Sequence, residues 1–365
     1  MPRLKLKIQR PWIPYIIFIV TLTLTLLATA YTNQQTYTED RLRFLNAVQD
    51  TNTNIRTQIE TYIALLRGTA GLFAAEPNLG KQEFSDYASR LRLNQNYAGA
   101  MGLGFVQRIK NSDKNTYIQN VQQQDNIPFT ITPVGERSEY YVVRYLIRTD
   151  KKTPTSIGMD IFTDRNLRSA MEKARDNGVS IASGKETVMD KDNNKKITVF
   201  VIFTPIYQEG NEPSSVNTRR NNLVGFVFMP FRVDTLLSEI VSNKILPQLV
   251  NYQIYDSENL TKQYMLYNSS IYHDNKVSFF LPRFREKRQF TVGGNTWTIL
   301  YTNNPQFDSE SAKNFSTIIF VGGILVCIMF FMLSRSQYIA RTKAEVAALK
   351  LQASQKRVAK SYKSS

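Results

Sequence analysis

Two uninterrupted apolar runs, at 11–31 and 315–334, stand out in a chain of 365 residues, and neither contains Asp, Glu, Lys, Arg or His. Each is close to the ~20 residues a helix needs to cross a hydrocarbon core, where only a helix pairs all its own backbone groups. For the first run a cleaved signal peptide is the rival reading, because Ala28-Thr29-Ala30 is an acceptable small-residue cleavage site behind a basic start. The run is long for a signal-peptide core, and a helical pattern continues past it. Both points favour an uncleaved anchor. The layout is that of residues 32–314 displayed between two membrane helices, an arrangement suited to passing information across the membrane.

Between the runs the periodicity changes several times. Over 38–75, Leu42, Leu45, Ile55, Ile59, Tyr62, Leu66 and Phe73 recur with helical gaps on an Asn-, Gln- and Thr-rich background. That stripe fits a helix packed on its own domain and equally a stalk paired with a second copy. Pro77 and Gly80 end it, and a second helical piece carries Phe84, Tyr87, Leu91 and Leu93. Strands are expected at 101–109, 129–133, 140–147, 187–189 and 197–207, with a hairpin tip at Asp190-Lys191-Asp192-Asn193-Asn194. A helix is expected over 164–178, with Leu167, Ala170, Met171 and Ala174 on one face and Gly178 as its stop. After a polar loop at 208–222 come a strand at 223–231 and a helix at 233–241. Strands then follow at 250–255, 264–267, 277–281, 290–292 and 296–302. A long helix, then strands, one helix and antiparallel strands, twice over, reads as an α+β fold with two sheet modules.

Charge sets the orientation. Arg3, Lys5, Lys7 and Arg10 precede the first span, and eight Lys or Arg follow the second against one acid, Glu345. Of the formal +16, the segment between the spans holds only 34 basic against 29 acidic residues. Cations beside a span stay cytoplasmic, so both termini are expected inside and 32–314 outside. The excess at the membrane edge favours anionic lipid heads and argues against nucleic acid, whose binders gather charge on one folded face. The single cysteine, Cys327, falls within the second span, so the exported part carries no disulfide. In the tail at 335–365, Ile339, Val346, Leu349 and Ala353 have heptad-like spacing, which suits a signalling coiled coil as well as a solvated basic tail.

Catalytic signatures are missing. A nucleophilic triad would have to use the lone histidine, His273, and no motif surrounds it. Gly99, Gly102 and Gly104 have the wrong spacing for a dinucleotide loop. The run from Asp190 starts like a calcium loop but has Lys195 and Val201 where Gly and Glu belong. No metal or cofactor is expected, and no enzyme activity in this chain. Any output lies on a partner or in sequence beyond Ser365.

The segments line up with a known family. Gly102-Leu103-Gly104-Phe105-Val106-Gln107-Arg108-Ile109 resembles the first strand of the CHASE family, and Tyr140-Tyr141-Val142-Val143-Arg144-Tyr145 is similar to its tyrosine strand, with Val142 where Pro is common. Ile157-Gly158-Met159-Asp160, then Arg165, then the stretch from Ala170 to Ala174, Gly178 and Ser183 resemble its central block. Phe203-Thr204-Pro205-Ile206-Tyr207 looks like its "F-x-P-V-Y" strand. Gly225-Phe226-Val227 with Val233-Asp234-Thr235-Leu236-Leu237 resembles the strand and helix that open a second module, and Gly293-Gly294-Asn295-Thr296-Trp297 its closing strand.

CHASE domains are extracytoplasmic sensors of membrane histidine kinases, nucleotide cyclases and diguanylate cyclases, and plant cytokinin receptors belong to the family. The resemblance implies a long N-terminal helix carrying two stacked PAS-like modules. The expected divisions are a tail (1–10), a span (11–31), a stalk helix (32–76), a membrane-distal module (77–222), a membrane-proximal module (223–314), a second span (315–334) and a cytoplasmic helix (335–365). It also implies a homodimer that binds a small molecule, such as an adenine derivative, and signals to a cytoplasmic kinase or cyclase. By position, Asp160 takes the role of the ligand-amine acceptor, and the backbone near Ala182, beside Ser183, completes the grip. Tyr141, Tyr145 and Thr204 are candidate walls, with Arg144 on the same strand. Asp160 serves equally well as a cap for the helix near Asp164, or as a partner for Arg144 or Arg165. A chemoreceptor-type double-module sensor and a stand-alone membrane adaptor are the rival functions.

Overall fold

The computed structural model describes residues 11–150, 152–190, 194–208, 213–242, 249–270 and 280–361. The basic N-terminal cluster, hairpin-tip residues 191–193, His273 and the start of the strand expected at 277–281 lie outside these. Helices are α1 (Ile13–Ala75), α2 (Lys81–Arg90), α3 (Leu93–Asn96), α4 (Lys114–Asp125), α5 (Arg165–Asn177), α6 (Val216–Asn222), α7 (Val233–Ser242), α8 (Pro305–Ser309) and α9 (Lys313–Ser361). Strands are β1 (Gly102–Lys110), β2 (Glu139–Arg148), β3 (Ile181–Ala182), β4 (Glu186–Asp190), β5 (Lys195–Tyr207), β6 (Leu223–Arg232), β7 (Val250–Tyr255), β8 (Met265–Asn268), β9 (Arg285–Val292) and β10 (Asn295–Asn303). The chain forms two compact units, 44–307 and the combination of 1–43 with 308–365.

The larger unit holds two antiparallel sheets. One runs β2-β1-β6-β5-β3 with β4 also on β5, and the other runs β8-β7-β10-β9. Along β5, alternate side chains enter different cores. Phe200, Ile202 and Ile206 join the core that includes the α1 stripe, while Val201, Phe203 and Tyr207 join Ala170, Met171 and Ala174 of α5. A third, smaller core of Ile109, Val121, Phe129, Ile131, Tyr140 and Val142 lies under α4. The ends of α5 follow from its sequence. The Asp164 carboxylate accepts the Asn166 and Leu167 N–H groups, and Gly178 takes the left-handed conformation (φ 71°) that closes the last turn.

Four expectations change. The strand β6, expected to open the second module at residue 223, pairs with β1 and β5 and is central to the first sheet. Its Phe226, Val227, Phe228 and Met229 are buried on both faces, as a central strand requires. In chain order the first sheet therefore ends at Arg232, and the second begins with β7. Second, α4 stands where no helix was expected, because its apolar side is only Tyr117, Ile118 and Val121. Third, α6 occupies the end of the expected polar loop, capped by the Ser215 hydroxyl on the Thr218 N–H. Fourth, residues 129–133 form no strand, only an isolated bridge from Thr132 to Met159, while Phe129 and Ile131 pack into the small core.

In the smaller unit the two long helices touch through small and aromatic side chains. The Thr25 hydroxyl lies 3.6 Å from Cys327 Sγ. A Cβ on Gly323 would overlap the Thr25 side chain. Tyr15 and Phe18 meet Phe331 edge-to-face at 5.6 and 5.5 Å. Farther along, Ser311 donates to the buried Asp40 carboxylate at 2.5 Å, and Arg43 bridges Asp40 and Glu310. Both helices are long and apolar enough to cross a membrane, with mean hydropathy of 2.1 and 2.6 in their most apolar windows.

Gly225 faces the Val106 carbonyl so closely that an added Cβ would overlap it, whereas one on Gly68 would meet open space. Gly225→Ala is expected to lower stability by about 1–3 kcal/mol. Gly68→Ala, in a helix interior, should raise it by up to ~1 kcal/mol. Chemical denaturation of the two variants checks both signs.

Candidate ligand-binding site

The Asp160 carboxylate is fully buried and holds three segments together. Its Oδ1 accepts the Tyr141 N–H of β2 at 3.0 Å and the Phe162 N–H at 3.2 Å, so it caps the 3-10 turn Ile161–Thr163. Its Oδ2 lies 3.3 Å from Nη1 of Arg137, a side chain one-quarter exposed. The backbone is knitted on both sides, with the Asp160 N–H on the Thr132 carbonyl and the Thr132 N–H on that of Gly158. Asp160 thus pairs with Arg137, not with Arg144 or Arg165, and Asp164 caps α5.

A β-bulge divides the expected pocket. The β1–β2 register pairs Phe105 with Tyr145 and Val106 with Val143, leaving Arg144 as the extra residue. In a regular strand Tyr141 and Tyr145 would share a face. Here Tyr141 belongs to the α5-side core and stacks on Phe162 at 4.2 Å, while Tyr145 belongs to the α1-side core and stacks on Phe84 at 5.7 Å. Arg144 instead forms a buried, two-point ion pair with Asp125 at the end of α4, at 2.5 and 3.2 Å. Burial pushes the Tyr141 phenol up, and the adjacent Glu139 carboxylate acts in the same direction. It stays a proton donor to Glu139, whose other oxygen takes the Arg108 Nε–H at 2.7 Å.

The backbone of Ala182 is already committed. Its N–H donates to the Gly293 carbonyl at 3.2 Å, and its carbonyl accepts from the Asn295 side chain. Ser183 closes on β5, since its hydroxyl accepts the Val201 N–H at 3.0 Å. Thr204 hydrogen-bonds Ser180 at 2.8 Å on the α1 side of the sheet. Of the seven candidates, the structure therefore brings together Tyr141 with Asp160, and Ala182 with Ser183. Tyr145, Arg144 and Thr204 stand elsewhere. Arg137, Asp125, Phe162 and Asn295, which hold these residues, carry no spacing signal that links them to their partners.

Residues 77–267 match the CHASE domain family. A curated relative, the hybrid signal transduction histidine kinase A of Dictyostelium discoideum, is 20% identical over 361 residues. The match takes in 90% of this chain, but the chain spans only 16% of that relative's length. Two solved structures are distant likenesses at 11% identity and a TM-score of 0.41. The periplasmic sensory domain of the Campylobacter jejuni chemoreceptor Tlp1 is matched over 72% of this chain and 94% of its own. The ligand-binding domain of C. jejuni Tlp3 in complex with L-valine is matched over 77% and 98%.

Because Asp160 is a buried charge with a named partner, Asp160→Ala is expected to cost about 3–5 kcal/mol, and Asp160→Asn less. Thermal melts of both variants test this. A loss below about 0.5 kcal/mol for Asp160→Ala would remove its structural role.

Proposed function

This chain belongs to the CHASE-domain family, and from that premise we propose that it is the sensory and membrane-spanning part of a receptor. The observation that carries the reading is the order of parts: the CHASE segment at 77–267 lies between two helices long and apolar enough to cross a bilayer. The charge at the chain ends supports cytoplasmic termini, with 32–314 outside the membrane. We read the two sheets as stacked PAS-like modules and the protein as a homodimer joined along its long helices. Its output is a cytoplasmic histidine kinase or cyclase, and the kinase alternative is favoured by the hybrid kinase relative.

The ligand in this reading is a small molecule, and a purine amine is the narrower proposal. Asp160 Oδ1 is saturated by two backbone donors, so an amine would have to reach Oδ2 by taking the place of Arg137. That exchange trades one charge-assisted contact for another. It would also free the segment around Arg137, whose side chain holds the Pro133 carbonyl. A ligand shifts the receptor only through its differential affinity for two such states.

Two measurements on the full chain test the proposal, thermal melts in nanodiscs and cysteine labelling on intact cells. Thermal melts with adenine-type purines and small amino acids should show stabilisation of about 2.7 kcal/mol at a hundredfold excess over Kd for the true ligand class. A flat response to every compound removes the small-molecule reading. For topology, a Cys327→Ala background takes a new cysteine at Val134 or Leu351, which are 92% and 66% exposed. Impermeant maleimide on intact cells should label Val134→Cys and spare Leu351→Cys. The reverse pattern would invert the orientation.

A further inference from the structure

A cleft of about 420 Å³ lies beside the last turns of α1, away from Asp160. Arg67, Ala70, Gly71 and Ala74 of the helix form one wall. Ser180, Thr204 and Ile206 are among the residues of the opposite wall, with Gly178 and Val179 at the turn after α5. The size falls within the ~300–1,000 Å³ of small-molecule sites.

Two features of the cleft lack a partner among the described residues. The Arg67 guanidinium, exposed at the cleft, makes no ion pair or hydrogen bond among the described residues, although most arginines of this unit are paired. Ser180 and Thr204 are buried residues, 2% and 5% exposed, and their hydroxyls bond to each other. Two hydroxyls carry two protons and their mutual bond uses one, so one O–H at the cleft wall has no acceptor among the described residues. Buried donors are seldom left so, because an unmet one costs about 1–3 kcal/mol. The lining also includes the apolar Ala70, Ala74, Val179 and Ile206. A Cβ on Gly71 would touch nothing, so no close contact requires glycine at this helix position. Here glycine keeps the cleft open at a cost of ~1 kcal/mol in helix propensity.

We propose that this cleft binds a small carboxylate with a compact apolar body. The carboxylate takes the Arg67 fork and the free hydroxyl proton, both donors to a negatively charged oxygen. The apolar part covers the alanine face of α1 and Ile206. Such a ligand bridges the stalk helix and β5 directly. The site is separate from Asp160 and stands whether or not a purine binds there.

The test uses phenylacetate as probe, with phenylacetamide as its neutral counterpart, in calorimetric titrations of the full chain in nanodiscs. Phenylacetate should bind saturably and the amide about tenfold more weakly or less. Arg67→Gln, which removes no ion pair or hydrogen bond among the described residues, should weaken phenylacetate about tenfold, and added salt should weaken it in the wild type. Gly71→Leu should abolish binding by filling the cleft while leaving the melting temperature unchanged or higher. The proposal is overturned if phenylacetate does not bind, if the amide binds equally, or if Gly71→Leu still binds. It is likewise overturned if Gly71→Leu splits a dimer, which would make a second copy of the chain the occupant.

Discussion

One stripe of side chains on α1 serves both sheets, and the larger unit depends on it. At one end Phe44 stacks on Phe284 at 5.6 Å and meets Phe307, in the core shared with Trp297, Ile299 and Tyr301 of β10. In the middle Tyr62 sits 5.0 Å from Phe231 of β6 and donates its hydroxyl to the Ala98 carbonyl. At the far end Phe73 stacks on Phe105 of β1 at 4.2 Å. The other sides of the helix are Asn-, Gln- and Thr-rich, so the stripe, more than intrinsic propensity, stabilises this part of it. Each fully buried aromatic contributes roughly 1.5–3 kcal/mol. Close-packed interfaces of this kind move between discrete arrangements rather than deforming smoothly, so a shift of α1 against one sheet is felt by the other.

A second joint binds the sheets without the helix. The β9–β10 turn carries Gly293 and Gly294 at φ 45° and 73° and lies against β3. A side chain on Gly293 would collide with the Ser180 carbonyl, and one on Gly294 with Ile181. The turn presents the Gly293 carbonyl and the Asn295 amide to the two backbone groups of Ala182, so it covers an edge that would otherwise invite foreign strands. Asp256 adds a contact from the same sheet by accepting the Lys185 N–H at 2.7 Å. The expected grip of Ala182 on a ligand is thus a contact between the two sheets in this structure.

Elements with long, regular patterns were legible in the sequence. The α1 stripe, the ends of α5 at Asp164 and Gly178, and the run of β5 could all be read from local spacing. The misreadings came where long-range pairing decides the outcome. A strand such as β6, buried on both faces, looks the same whether it closes one sheet or opens the next. The bulge at Arg144 separates Tyr141 from Tyr145, which strict alternation would place together. Only the fold brings Arg137 to Asp160, because 22 residues of chain lie between them without a periodic signal. The helix α4 escaped notice because three apolar residues on a Gln-rich background make a weak stripe.

These constraints bear on where a signal enters the long helix. The helix α1 runs unbroken from Ile13 to Ala75, with its one proline, Pro14, in the first turn, where proline is tolerated. Its only glycines, Gly68 and Gly71, fall in the last two turns. The stiff part is therefore the long stretch before them, and the soft part is the end packed against β1 and β5. A displacement applied at Asp160 enters the sheet at β2 and must cross it before it reaches the helix. One applied at the Arg67 cleft acts on the helix directly, at its softest point. Tyr145 is an intermediate link, because its hydroxyl holds the Leu79 carbonyl just past the end of α1 while its neighbour Arg144 holds α4. The bulge that divides the expected pocket thus ties the edge of the sheet to the end of α1.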